Sequence, residues 1–149
     1  MAGSNALAAL RYQGGVKSEV QLNFGTIPTA AGNTDMFAIV PEDGEFHSAD
    51  FSAVEAIAAS DSNYVTFAIQ NLGQAGIGTN QILAATNNNT TKLTGGSALQ
   101  SGSRKKLYPS TSSPALQVKA GDRLRVRVTG TGTLPNTLTG GVMVIRFVA

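Results

Sequence analysis

Residues 118–128 decide the fold class and read Val118-Lys119-Ala120-Gly121-Asp122-Arg123-Leu124-Arg125-Val126-Arg127-Val128. The segment 119–122 has the composition of a tight turn, because Gly tolerates a positive φ and Asp bonds to nearby backbone groups. From residue 123 onward, charged and apolar side chains alternate strictly, which is the period of a strand with one buried face. A turn that leads into an alternating strand is typical of an antiparallel sheet.

The same pattern recurs along the chain. Residues 16–24 and 64–70 alternate between apolar and polar side chains, and residues 35–40 form an apolar run that ends at a turn, residues 41–44. Gly, Asn, Ser and Thr separate these segments. We count about seven to nine short strands, spaced roughly 10–15 residues apart. This spacing predicts an all-β fold, a single jelly-roll-like antiparallel β-sandwich over residues 16–149.

Composition fits one domain of this kind. The chain has 149 residues, of which 42% are hydrophobic and 13% charged, about half the usual charged share. No window reaches the ~18 consecutive apolar residues of a membrane span. The absence of cysteine excludes disulfides, thiol catalysis and thiolate metal sites. Residues 1–5 lack the basic and apolar regions of a signal peptide, so we expect none.

Charge is distributed unevenly. Residues 1–61 hold two bases and eight acids, a net of −6, whereas residues 62–149 hold nine bases and one acid, a net of +8. Such asymmetry can indicate a nucleic-acid partner. Because the two halves of a sandwich interleave, we favour mutual neutralisation within or between subunits.

The chain lacks a catalytic constellation. His47 is the only histidine, and no nucleophile elbow accompanies it. The acidic turn of Glu42, Asp43 and Glu45 lacks the ligand spacing of a calcium loop. The glycine-rich residues 73–78 precede no Lys-Ser/Thr pair and are interpreted as a hairpin loop. We therefore expect no enzyme activity, no cofactor and no metal.

Arg123, Arg125 and Arg127 place three guanidinium groups along one face of a strand. Phosphate binding is conceivable for such a row. Aromatic residues make up only 6% of the chain and tryptophan is absent, which argues against single-stranded nucleic acid. We favour an acidic protein surface as the partner of this basic face.

The closing strand, residues 142–148, is apolar on both faces except at Arg146. One set of side chains is Met143, Ile145 and Phe147, and the other is Val142, Val144 and Val148. Because a sheet face that covers one core needs only one apolar set, we assign Met143, Ile145 and Phe147 to a subunit interface.

Residues 1–15 are interpreted as an N-terminal arm that is ordered only when it docks. The segment is small and polar apart from Leu7, Leu10 and Tyr12, and Gly14 and Gly15 separate it from the first alternating strand. The arm has too few apolar residues to form a core. We expect these three side chains to insert into grooves of a partner surface.

Several motifs follow one another in a suggestive order. They are Ala38-Ile39-Val40-Pro41-Glu42-Asp43-Gly44, Ser48-Ala49-Asp50-Phe51-Ser52-Ala53, Ser60-Asp61-Ser62-Asn63-Tyr64-Val65-Thr66-Phe67-Ala68-Ile69-Gln70-Asn71-Leu72-Gly73, Val118-Lys119-Ala120-Gly121-Asp122-Arg123-Leu124 and Gly140-Gly141-Val142-Met143-Val144-Ile145-Arg146-Phe147. In this order the chain resembles the jelly-roll decoration, or cement, proteins of tailed bacteriophage capsids. The resemblance covers about three quarters of the chain.

The resemblance implies a virion structural protein without enzyme activity. Such a protein would be made in the host cytoplasm, form a homotrimer and stabilise the outer capsid surface by bridging major capsid protein subunits. It would need no cofactor and touch neither nucleic acid nor membrane directly. The alternative is the receptor- or glycan-binding tip of a phage tail or head fibre, which would show a groove with exposed aromatics such as Tyr64 or Tyr108.

Overall fold

A computed structural model of the chain describes residues 17–111 and 113–148. The predicted arm, with Leu7, Leu10 and Tyr12, lies outside the described residues. The strands are β1 Ser18–Ile27, β2 Gly32–Ile39, β3 Gly44–Ser52, β4 Tyr64–Asn71, β5 Asn80–Leu83, β6 Lys105–Leu107, β7 Gln117–Val118, β8 Arg123–Thr131 and β9 Leu138–Val148. Two short 3-10 turns are Asn87–Asn89 and Ser113–Leu116.

The strands form two antiparallel sheets. The five-stranded sheet has the order β1-β9-β3-β6, with β7 paired to β3, and the four-stranded sheet has the order β2-β8-β4-β5. Apart from the two-residue β7, the chain changes sheet at every connection except the hairpin between β4 and β5. This double Greek key is the topology of a jelly roll. The predicted β-sandwich is confirmed.

The first and last described strands are neighbours. The backbone N–H of Lys17 donates to the carbonyl of Phe147 over 2.7 Å, and Ser18 faces Phe147 in the register between β1 and β9. The two described ends of the chain therefore lie side by side in the five-stranded sheet.

The alternating segment at residues 123–128 becomes β8, in the middle of the four-stranded sheet. Leu124, Val126 and Val128 are fully buried, whereas the arginines between them point outward. The predicted turn before the strand is present: Gly121 has a φ of 88°, and the amide of Asp122 donates to the carbonyl of Lys119 over 3.0 Å.

The assignment of Met143, Ile145 and Phe147 to a subunit interface is wrong. Each of these side chains is at most 1% exposed, because the four-stranded sheet of the same chain covers this face of β9. The opposite set, Val142, Val144 and Val148, points outward and is half-buried. Both sets are apolar, so the sequence pattern alone does not distinguish the inner set from the outer one.

Three phenylalanines join the sheets at the centre of the core. Phe51 of β3 packs edge-to-face on Phe24 of β1, with ring centroids 6.0 Å apart. Its ring also contacts Phe67 of β4 across the sandwich, at a centroid distance of 4.8 Å. Phe51 thus contacts aromatic rings of both sheets, and it is 0% exposed.

We expect Phe51→Ala to lower the free energy of unfolding by about 3–5 kcal/mol, because it leaves a cavity between the sheets. The matched control is Phe37→Ala, which removes a ring that is 44% exposed on the outer surface and should cost about 1 kcal/mol or less. Chemical denaturation of the two variants measures the difference. Equal losses would contradict this account of the core.

Candidate functional site

The outward side of the four-stranded sheet carries all three arginines of the predicted basic row. In the sheet register, Arg125 lies between Phe37 of β2 and Gln70 of β4, and Arg127 lies between Asp35 and Ala68. We call this surface the arginine face. Its outward positions are Asn33, Asp35, Phe37, Ile39, Tyr64, Thr66, Ala68, Gln70, Gln81, Arg123, Arg125, Arg127, Thr129 and Thr131.

Arg127 is neutralised within the chain. Its Nε donates to Oδ1 of Asp35 over 2.8 Å, and its Nη2 donates to Oδ2 over 2.9 Å. These hydrogen bonds lower the pKa of Asp35 and raise that of Arg127. A bidentate pair of this geometry is among the stronger surface ion pairs. One of the three predicted partner contacts is therefore already occupied by an acid from the first half of the sequence.

Arg125 has a neutral partner. Its Nη2 donates to Oε1 of Gln70, and no other hydrogen bond or ion pair of this side chain occurs among the described residues. The residue is half-buried in the middle of the sheet. Its positive charge thus remains directly unpaired, although Asp35 lies close enough for Arg125 to contribute to lowering the pKa of that carboxyl.

Arg123 stacks on an aromatic ring. Its guanidinium carbon lies 4.1 Å from the centroid of Phe37. Phe37 and its neighbour Ile39 are 44% and 59% exposed, which is high for large apolar side chains. Arginine and aromatic residues are enriched at protein interfaces, where lysine and acids are depleted. This corner of the face therefore has the composition of a protein contact.

The sequence pattern revealed the arginines but not their neighbours. Asp35, Phe37 and Ile39 alternate with buried or half-buried residues of β2, whereas the composition of residues 35–40 indicates one apolar run. The alternation of these three positions was the signal that could have identified an outward face. Gln70 gave no such signal, because its contact with Arg125 depends on the pairing of β4 with β8.

Charge on the arginine face is not balanced. Three arginines stand against Asp35, a net of +2, and the remaining outward positions that the structure describes are neutral. The charge of this surface therefore favours an anionic partner.

The outer side of the five-stranded sheet differs in its electrostatics. Arg146 of β9 donates through Nη1 to Oδ2 of Asp50 over 2.8 Å, and its Nε lies 3.7 Å from Oε2 of Glu19. Arg104 approaches the same Asp50 oxygen at 3.9 Å. Ion pairs within the chain thus balance much of the charge on this sheet.

The other candidates from the sequence occupy ordinary structural positions. His47 is exposed, with Nδ1 3.0 Å from the hydroxyl of Ser48. In the acidic turn, Glu42 pairs with Lys17 at 3.3 Å and Asp43 accepts the amide of Ala120 at 2.8 Å. Within residues 17–111 and 113–148, no group of three His, Cys, Asp or Glu side chains is placed to hold a metal. No described helix is long and apolar enough to cross a membrane.

The two tyrosines expected to line a glycan groove lie on different parts of the surface: Tyr64 is at the end of the arginine face, opposite Thr131 in the register, whereas Tyr108 follows β6 of the five-stranded sheet. Tyr108 is 46% exposed and lines a depression of about 330 Å³ together with Thr86, Asn88 and Pro109. A lysine ammonium lies 5.5 Å from its ring centroid, and another lies 5.7 Å from that of Tyr64. Of these two tyrosines, only Tyr108 is an exposed aromatic that lines a depression together with polar groups.

Comparison with known proteins gives distant similarities. No family model matches the chain, and no curated protein matches it either. A structure of infectious bursal disease virus, strain Gx, is similar at 7% identity over 87% of this chain and 32% of that chain, with a TM-score of 0.45. A serine protease of Aeromonas sobria is similar at 12% identity over 90% and 28%, with a TM-score of 0.42.

A CocE/NonD family hydrolase from Staphylococcus aureus is similar at 11% identity over 90% of this chain and 31% of that chain, with a TM-score of 0.31. The chain thus spans about a third of the length of each of these proteins. Similarities at this level assign neither a family nor an activity.

The Asp35–Arg127 pair should make stability depend on pH. Its hydrogen bonds depress the folded-state pKa of Asp35, so the stabilisation is complete above the unfolded pKa of about 3.9 and is lost as the pH falls through the folded value. We expect Asp35→Asn to cost about 1 kcal/mol at neutral pH. This deficit should shrink as the pH falls below about 4. Urea denaturation between neutral and acidic pH tests this, and a constant deficit would refute it.

Proposed function

We propose that this protein is a virion structural protein that decorates the outer surface of a phage capsid and stabilises it by bridging major capsid protein subunits. The observation that carries the proposal is the unbalanced positive charge of the arginine face on a jelly roll. The order of motifs that resembles cement proteins agrees with this role. The predicted arm, residues 1–15, would add a second contact with the shell.

The arginine face is suited to contact with another protein. Its arginines lie on β8, an inner strand of the four-stranded sheet, so neighbouring strands on both sides hold their backbone positions. The exposed Phe37 and Ile39 supply apolar area next to the cations. A surface of cations with adjacent apolar area matches an acidic shell surface, since opposite potentials guide association and select the partner.

A second part of the proposal is self-association as a homotrimer. The outward valines of β9, Val142, Val144 and Val148, form an apolar row along the five-stranded sheet. Ion pairs of Arg146 with Asp50 and Glu19 satisfy the charge within this row. A row of this kind can be covered by another subunit without burying an unpaired charge.

The alternative function is a receptor- or glycan-binding tip of a phage tail or head fibre. The observation in its favour is the depression beside Tyr108, where an exposed ring adjoins Asn88 and other polar groups. Aromatic rings that stack on sugars, with nearby hydrogen-bonding groups, are what such a site needs. Binding to a glycan array, lost in Tyr108→Ala, would favour this alternative.

Reversing the charge of the two arginines that have no acidic partner among the described residues, Arg123 and Arg125, should weaken shell binding. We expect Arg123→Glu/Arg125→Glu to reduce binding to cognate capsid shells at least about tenfold at low salt, since two favourable charge contacts become repulsive. Arg127 stays unchanged so that its pair with Asp35 is kept. Co-sedimentation at several ionic strengths measures this, because the wild-type affinity should also fall as salt screens the charges.

The matched control is Arg104→Glu/Lys106→Glu, which makes the same charge change at the edge of the five-stranded sheet. Both of its residues are exposed. It should bind the shell about as well as the wild type. If the Arg123/Arg125 variant decorates shells as fully as this control, the arginine face is not the docking surface.

The trimer is tested with a charge in the valine row. We expect the wild type to sediment as a trimer at micromolar concentration and Val144→Lys to sediment as a monomer, because a lysine there would be desolvated by the neighbouring subunit. Thr129→Lys adds the same charge to the other sheet and should leave the trimer intact. A wild-type monomer would rule out the homotrimer.

A further inference from the structure

A shallow depression of about 320 Å³ lies within the arginine face. Ala68 forms part of its lining, between Thr66 and Gln70 on the outward side of β4. The methyl group of Ala68 leaves room beside the long side chain of Arg127, its neighbour in the register. The small side chains of Ala68, Ala84 and Ala85 in the lining therefore leave a hollow beside the longer polar ones.

The two arginines are the charged hydrogen-bond donors around this hollow, whose lining also includes the amides of Asn33, Gln70 and Gln81. A guanidinium has five N–H groups. Arg127 donates two bonds to Asp35, and Arg125 donates one to Gln70. Among the described residues, the other N–H groups of these two side chains have no acceptor. The exposed Gln81, which faces Gln70 in the register of β5, adds an amide.

The local charge limits what can occupy the hollow. Arg125 and Arg127 of the lining contribute two positive charges, and Asp35, which is bonded to Arg127 next to the hollow, contributes one negative charge, so the local net charge is +1. One carboxylate balances this charge, whereas a phosphate dianion exceeds it. Asp35 on Arg127 already shows how a carboxylate fits a guanidinium on this sheet, with two parallel bonds.

We propose that this depression is a carboxylate-binding site in which Arg125 is the principal partner, with Arg127 and Gln81 as flanking donors. The inference rests on the proposed function in that the carboxylate would be an Asp or Glu side chain of the acidic shell surface. A carboxylated sugar offers the same chemistry from the other candidate source. Binding of one carboxylate would pair the half-buried charge of Arg125 that the chain itself leaves unpaired.

The test is a titration of the full-length protein with sodium acetate at constant ionic strength, followed by the side-chain N–H signals of its arginines in NMR spectra. Acetamide, which is neutral, is the control ligand. We expect saturable shifts with acetate and none with acetamide. Arg125→Gln should weaken acetate binding at least about fivefold, because a charge-assisted bidentate contact is lost. Arg104→Gln removes the same charge from the opposite sheet and should bind acetate as the wild type does.

A second variant, Gln81→Glu, tests the same site if Arg125→Gln does not fold. This exposed substitution supplies a tethered carboxylate at the edge of the hollow, so the variant should no longer bind acetate. The absence of saturable shifts in the wild type would overturn the site. Equal weakening by Arg125→Gln and Arg104→Gln would also overturn it, because binding would then follow net charge alone.

Two further ligands distinguish the sources of the carboxylate. A triglutamate peptide represents an acidic protein surface, and glucuronate represents an acidic sugar. Preference for the peptide supports the site as a shell contact, whereas preference for glucuronate supports the site but assigns it to a glycan. Failure of shell co-sedimentation with intact acetate binding would refute the decoration function alone. Salt-sensitive decoration without acetate binding would refute the site alone.

Discussion

Burial of the apolar side chains of β8 is the constraint on which the rest of the surface depends. Leu124, Val126 and Val128 are fully buried in the core, and the pleat of a strand then requires the intervening arginines to point outward. Since β8 lies between β2 and β4, this orientation places the arginines at the centre of a sheet. A slip of one residue would bury three cations, which makes the register strongly specified.

Ion pairs between residues that are distant in sequence determine how the net charge is distributed over the two sheets. The acidic first half and the basic second half of the sequence interleave, as Asp35 with Arg127 and Asp50 with Arg146 demonstrate. Neutralisation within the chain is therefore real but incomplete. The charge on the outer side of the five-stranded sheet is balanced more fully than that on the four-stranded sheet. The uneven distribution of charge along the sequence therefore becomes a difference in charge between the two faces of the sandwich.

Whether the sequence predicts a feature depends on how far apart along the chain the interacting residues lie. The turn at residues 119–122 and the alternation of β8 are local, so they were predicted correctly together with the sandwich. The inner face of β9 was predicted wrongly, because Met143, Ile145 and Phe147 are no more apolar as a set than the valines between them. The partners of the arginines depend on strand pairing over long sequence separations. Asp35 lies 92 residues from Arg127, and no local pattern relates the two.

The pairing of β1 with β9 has a practical consequence for attachments to this protein. Lys17 and Phe147 are hydrogen-bonded neighbours, so a polypeptide fused before the first strand or after the last one would leave from the same end of the five-stranded sheet. The arginines lie on the other sheet, so cargo displayed in this way would stand clear of them. Adjacent strand ends are also the condition for circular permutation, so joining the end of β9 to the start of β1 by a short linker would allow the sandwich to be opened in a loop chosen for display.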